Sequence, residues 1–114
     1  MHEMSLAEGI VELVESTARR EGARRVKRIF VDIGRLATVE VEALKFCFEA
    51  VAAGSLAAGA TLEVREVPGA GWCPDCSHSV PLEVIYGECP RCGGVRVQPT
   101  AGTEMRVTEI EIGD

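Results

Sequence analysis

The sequence predicts an α+β fold in which two helices pack on a small three-stranded mixed sheet and a four-cysteine ribbon is inserted before the last strand. Three observations lead there. Apolar residues recur at helical spacing in two stretches and alternate in three others, and two Cys-x-x-Cys pairs separate the second alternating stretch from the third. A length of 114 residues suits one ordinary domain carrying a smaller appendage.

Taken in order, Ser5 and Glu8 form a capping box, which starts a helix just after the first few residues. Ala7, Ile10, Val11, Val14 and Ala18 stripe its buried face, Glu8, Glu12 and Glu15 face water, and Gly22 ends it. From Val26 to Ile33 the pattern alternates, with Ile29, Val31 and Ile33 on one side and Arg28 and Asp32 on the other, and Gly34 closes this strand. Thr38 is the expected N-cap of a second helix, with Val41, Leu44, Phe48 and Val51 on one face, Cys47 beside them as a small core residue, and Gly54 as its stop. Thr61 to Val67 is a second strand with Leu62 and Val64 inward. Residues 68–71 and 99–102, rich in Gly and Pro, are expected to be flexible joins. The last strand, Met105 to Ile112, changes parity between Val107 and Ile110, which predicts a bulge or strong twist near Thr108. A strand-helix-strand connection is right-handed and parallel, so the first two strands should run parallel, with the last strand in the same sheet.

The inserted block reads Cys73-Pro-Asp-Cys76, twelve residues, then Cys89-Pro-Arg-Cys92, with Gly71, Gly87, Gly93 and Gly94 around the pairs. Each loop turns two thiolates toward one point, and two facing loops supply the tetrahedron of sulfurs that a structural zinc prefers. Twelve residues suffice for two short strands and a turn. A thioredoxin-like redox pair would need its motif to open a helix, which the Pro and Gly residues oppose; a rubredoxin-like iron is the other metal that four thiolates accept, and disulfides suit an oxidising compartment. The insert is therefore read as a four-cysteine zinc-ribbon domain over residues 69–102, with 1–68 plus 103–114 forming the α/β domain. Closed coordination leaves no position for a substrate, so the zinc is structural and contributes folding free energy on the order of 10 kcal/mol.

The formal charge is -6, and residues 73–94 hold one Arg against three acids, which argues against nucleic acid as a partner of the ribbon. Arg19, Arg20, Arg24, Arg25, Lys27 and Arg28 gather with Glu15 and Glu21 among them, as at a solvated helix end; an acidic partner surface is the alternative. No apolar run is long enough to span a membrane, and the first residues lack the pattern of a secretory leader, so a cytoplasmic location is expected. No Ser-His-Asp set or phosphate-binding loop is present, and the chain does not read as an enzyme.

Two histidines occur, His2 and His78. His78 lies two residues after Cys76, as a spare ligand, an outer-shell hydrogen-bond donor or simply an exposed loop residue. His2 permits a sharper reading. The amine of Met1, the amide nitrogen and imidazole of His2, and the amide nitrogen of Glu3 can place four nitrogens in a plane, a geometry suited to Ni(II) or Cu(II), with the Glu3 carboxylate as an axial ligand or an orienter. The plain alternative is a frayed terminus.

Met1-His2-Glu3-Met4-Ser5-Leu6 opening a helix, followed by an α/β core interrupted by Cys73-x-x-Cys76 and Cys89-x-x-Cys92, resembles the HypA/HybF family of nickel metallochaperones over essentially the whole chain. The resemblance implies that Met1, His2 and Glu3 bind Ni(II) as cargo, making 1–68 plus 103–114 the nickel-binding domain, and that Cys73, Cys76, Cys89 and Cys92 hold structural Zn(II). It further implies a role in delivering nickel to the large subunit of [NiFe]-hydrogenase with a GTPase nickel chaperone of the same pathway, and some family members also serve urease. The rival from another class is a zinc-ribbon protein-interaction adaptor without a second metal site.

Overall fold

The computed structural model describes residues 2–113. Along the chain run α1 (Glu3–Arg20), β1 (Arg25–Gly34), a 3-10 turn (Arg35–Ala37), α2 (Val41–Ala52), β2 (Thr61–Val67), β3 (Gly69–Cys73), β4 (His78–Leu82), β5 (Gln98–Ala101) and β6 (Met105–Gly113). The strands form two three-stranded sheets, ordered β2-β1-β6 and β4-β3-β5. The first is mixed. The ion pairs Arg28–Glu63 and Asp32–Arg65 advance in the same sense along β1 and β2, as parallel neighbours do. The bonds Arg24 N–H to Gly113 O, Thr108 Oγ1 to Phe30 O and Gly34 N–H to Glu104 O run in opposite senses along β1 and β6, as antiparallel neighbours do.

By its contacts the chain divides into two compact units, Met1–Val31 with Val39–Val64 and Val107–Asp114, and Asp32–Thr38 with Arg65–Arg106. In the first, α1 packs on α2. The predicted stripe of α1 is buried, together with Leu44, Phe48 and Ala52 of α2 and Val26, Ile29 and Val31 of β1. Gly22, at φ +72, sits just beyond α1, and the bonds Gly22 N–H to Arg19 O and Ala23 N–H to Ala18 O close a Schellman motif. On β6, Thr108 and Glu109 are both exposed while Val107 and Ile110 are half-buried, the expected change of parity.

Two expected caps are corrected. Helix α1 begins at Glu3, with His2 at its N-cap and the Leu6 N–H bonded to the His2 carbonyl at 3.0 Å, so Ser5 and Glu8 lie inside the helix instead of starting it. Thr38 adopts a left-handed conformation, φ 55, at the end of the 3-10 turn, and its hydroxyl bonds the Ala37 carbonyl; the N-cap of α2 is Glu40. One long-range contact joins the two starts. The buried Glu3 carboxylate accepts the Glu40 N–H at 3.1 Å, satisfying a donor at the start of α2 and fixing the first turn of α1 at the same time.

In the second unit β3 is the central strand, antiparallel to β4 from Gly69↔Leu82 to Cys73↔His78 and to β5 through Trp72↔Gln98, Gly71↔Pro99 and Ala70↔Ala101. The expected flexible joins are thus largely strand. Gly71 shows why. A Cβ there would lie 2.6 Å from Val97 Cγ1 and 2.7 Å from Leu82 Cδ1, so the glycine provides room for close packing. Leu36, Val80, Leu82 and Val97 form one buried cluster with Cys73 and Cys89. Arg35 pairs with both Glu66 and Glu83 at its edge.

Candidate metal centres

The four cysteines converge. Cys73 ends β3, Cys76 closes the turn that leads into β4 at His78, and Cys89 and Cys92 form a second turn held by Cys89 N–H to Gly94 O and Gly93 N–H to Cys89 O, both 2.8 Å. The sulfurs of Cys73 and Cys92 are 3.6 Å apart and those of Cys76 and Cys89 3.8 Å, and all four lie within 4.8 Å of one another. A tetrahedron with metal–sulfur bonds of about 2.3 Å has edges of about 3.8 Å, so the donor set fits a four-coordinate thiolate site. Burial first, then the neighbouring thiols, push the Cys76 thiol up to about 12. Cys89, although burial works the other way, is drawn down to about 7 by the backbone N–H groups of Cys92 and Arg91, and the Arg91 N–H lies 3.4 Å from its sulfur. Four thiols packed this closely cannot all ionise without a cation among them, and a bound divalent metal would take the place of their protons.

The amino-terminal end has a different character. His2 is exposed, whereas Glu3 is only 8 % exposed. The Glu40 N–H first, and Glu3's own N–H second, hold the Glu3 carboxyl below its usual value. His2 Nδ1 lies 3.9 Å from Glu3 Oε2, too far for a hydrogen bond and close enough for a dication at the ring nitrogen to feel the carboxylate. The first amides of a helix have no intrahelical acceptor, and here the Glu3 carboxylate takes up that of Glu3 itself. Met1 lies outside the described residues.

A family profile described as hydrogenase/urease nickel incorporation, metallochaperone, hypA, matches residues 1–112. The chain belongs to the HypA family. It is 65 % identical over 112 residues to the hydrogenase maturation factor HypA of Dechloromonas aromatica (strain RCB), covering 98 % of this chain and 99 % of that one, and 56 % identical over 114 residues to that of Azoarcus sp. (strain BH72), covering all of both. The solution structure of the Ni metallochaperone HypA from Helicobacter pylori superposes with a TM-score of 0.69 at 29 % identity, covering 99 % of this chain and 98 % of that one.

Within this HypA-family chain the cysteines expected from the sequence are brought together, and His78 is placed outside them. Its Nδ1 lies 2.7 Å from the Cys76 carbonyl, an outer-shell bond that fixes the turn after the first cysteine pair. Cys47 is half-buried on α2 and is not part of the cluster. Sequence reasoning missed Asp75, which sits between Cys73 and Cys76 and forms an ion pair with Arg96, beyond the second cysteine turn. That hydrogen bond from Arg96 lowers the Asp75 carboxyl. No motif signals this pairing, because the cation inside the second cysteine pair is Arg91 and the partner is Arg96 beyond it. Glu40 was also missed, because its contribution is a backbone N–H that any residue except proline would offer.

Proposed function

We propose that this chain binds Ni(II) through Met1, His2 and Glu3 and helps insert it into the large subunit of [NiFe]-hydrogenase. The membership of the HypA family over residues 1–112 carries this reading. The exposed His2 at the head of α1, beside the buried Glu3 carboxylate, supports it locally. The amine of Met1, the amide nitrogens of His2 and Glu3 and the His2 imidazole supply the ligands. Protonation of those nitrogens, or a partner that draws the segment away, releases the ion, so affinity falls as pH drops. The Glu3 carboxylate is a positioning group: held at the start of α2, it fixes the direction of the first turn and keeps a negative charge near the imidazole.

Zn(II) is the resident metal of Cys73, Cys76, Cys89 and Cys92; when bound it supplies folding free energy and leaves no open position. The chain's own residues do the rest there, with Asp75 and Arg96 tying the two cysteine turns and His78 holding the Cys76 carbonyl. Residues 1–68 plus 103–114 carry the nickel function and 69–102 the zinc ribbon. The chain works in the cytoplasm as a carrier, not an enzyme, with a GTPase nickel chaperone and the hydrogenase large subunit as partners and urease maturation proteins as a further destination. Neither nucleic acid nor membrane is a partner. No helix of the described residues is long and apolar enough to cross a membrane.

The test is a nickel titration of zinc-loaded protein with a native Met1 beside the same protein carrying one extra residue before Met1, followed by d-d absorption of square-planar nickel. One nickel bound by the native form and lost from the extended form is the expected result. Absence of nickel binding by both forms would leave the adaptor reading.

A further inference from the structure

Half of the chain's cations, six of twelve, fall within residues 19–28 against a single acid, Glu21. This short stretch therefore has a balance of +5 in a chain of -6, which leaves -11 on all other residues. The fold makes the segment a corner: Arg19 and Arg20 end α1, and Arg24, Arg25, Lys27 and Arg28 follow the turn into β1. All six are exposed. The backbone beneath them is fixed by the Schellman bonds at Gly22, by Arg24 N–H to Gly113 O at 3.2 Å and by Val26 N–H to Leu56 O at 2.8 Å.

The dipole of α1 accounts for cations in its last turn, Arg19 and Arg20. It does not account for the four that follow, since the effect fades within that turn. Local pairing also falls short. Among the described residues the ion pairs of this corner are Arg19 with Glu15 at 3.4 Å and Arg28 with Glu63 at 3.9 Å.

We infer that this corner is a docking surface for an acidic patch on a partner protein of the nickel-delivery pathway, an inference that rests on the proposed function only for the choice of partner. The charge distribution selects the partner's class. A nucleic acid carries a phosphate charge about every 1.7 Å along its axis and would extend from the corner onto the strongly acidic remainder. A compact acidic patch meets only the corner, within a screening length of about 8 Å.

The experiment measures binding of the full-length, zinc-loaded protein to two purified probes, the GTPase nickel chaperone and the hydrogenase large-subunit precursor, between about 50 and about 200 mM salt. The parent is compared with a triple variant, Arg20→Glu, Arg24→Glu and Lys27→Glu, and with the charge-conserving Arg20→Lys and Arg24→Lys. The expected result is salt-sensitive binding of at least one probe, weakened ~10-fold or more in the triple variant and kept in the lysine variant, with nickel stoichiometry unchanged in both and melting temperature unchanged in the lysine variant. Equal binding by parent and triple variant, or no binding of either probe by the parent, overturns the inference. Binding of a short DNA duplex that the triple variant loses also overturns it, in favour of a polyanion site. Nickel stoichiometry, read in the same samples, reports separately on the proposed function.

Discussion

Glu3 directs its carboxylate to a backbone donor 37 positions away, and that choice decides what the side chain does. Because the Glu40 N–H lowers the carboxyl in the folded protein, its contribution is complete above the ordinary glutamate value of 4.5 and is lost as pH falls through the lower folded value. The variant Glu3→Gln should accordingly show faster amide exchange at the start of α2 near neutral pH, and parent and variant should converge in acid; a constant difference at all pH values would disprove the charge-based clamp. At the cysteine turns Asp75→Asn should speed loss of metal to a chelator without abolishing binding, because all four sulfurs remain and only the tie to Arg96 is removed. The convergence of the four cysteines was legible from spacing alone. The groups that orient them were not, since Asp75, Arg96 and the Cys76 carbonyl are related through folded geometry and not through a motif.

The helices and the strands of the mixed sheet follow from periodicity, because each buries one face and the apolar spacing records it. Phe48, 2 % exposed on α2, lies within that core. Phe48→Ala should destabilise the protein by about 3–5 kcal/mol in chemical denaturation, as for other large-to-small changes in a packed interior. The starts of both helices were misread, since the sequence offered local caps in Ser5 and Thr38 while α1 begins at Glu3 after His2 and the Glu40 N–H at the start of α2 meets the distant Glu3 carboxylate. A similar ambiguity misled the reading of residues 68–71 and 99–102. Glycine and proline mark flexibility in a linker and close approach in a strand, and β3 with β5 is the second case. Gly71→Ala makes the distinction measurable: overpacking against Val97 and Leu82 should cost about 1–3 kcal/mol, while a true linker would tolerate the change.

For the molecule as a whole, the division into two units predicts an uneven response to metal removal. A strong chelator should melt the unit of Asp32–Thr38 and Arg65–Arg106, which depends on the cysteine cluster, while α1 and α2 keep their far-ultraviolet circular dichroism. Simultaneous loss of both signals would show that the metal supports the entire chain. The same division has a practical effect. Trp72 on β3, 43 % exposed, and Tyr86, which adopts φ 65, are the single tryptophan and the single tyrosine, and both belong to the cysteine-bearing unit. All three phenylalanines, Phe30, Phe46 and Phe48, belong to the other. Intrinsic fluorescence excited at the indole therefore originates in the cysteine-bearing unit, as a built-in optical label. Emission followed during chelation reports directly on the unit that holds the four cysteines.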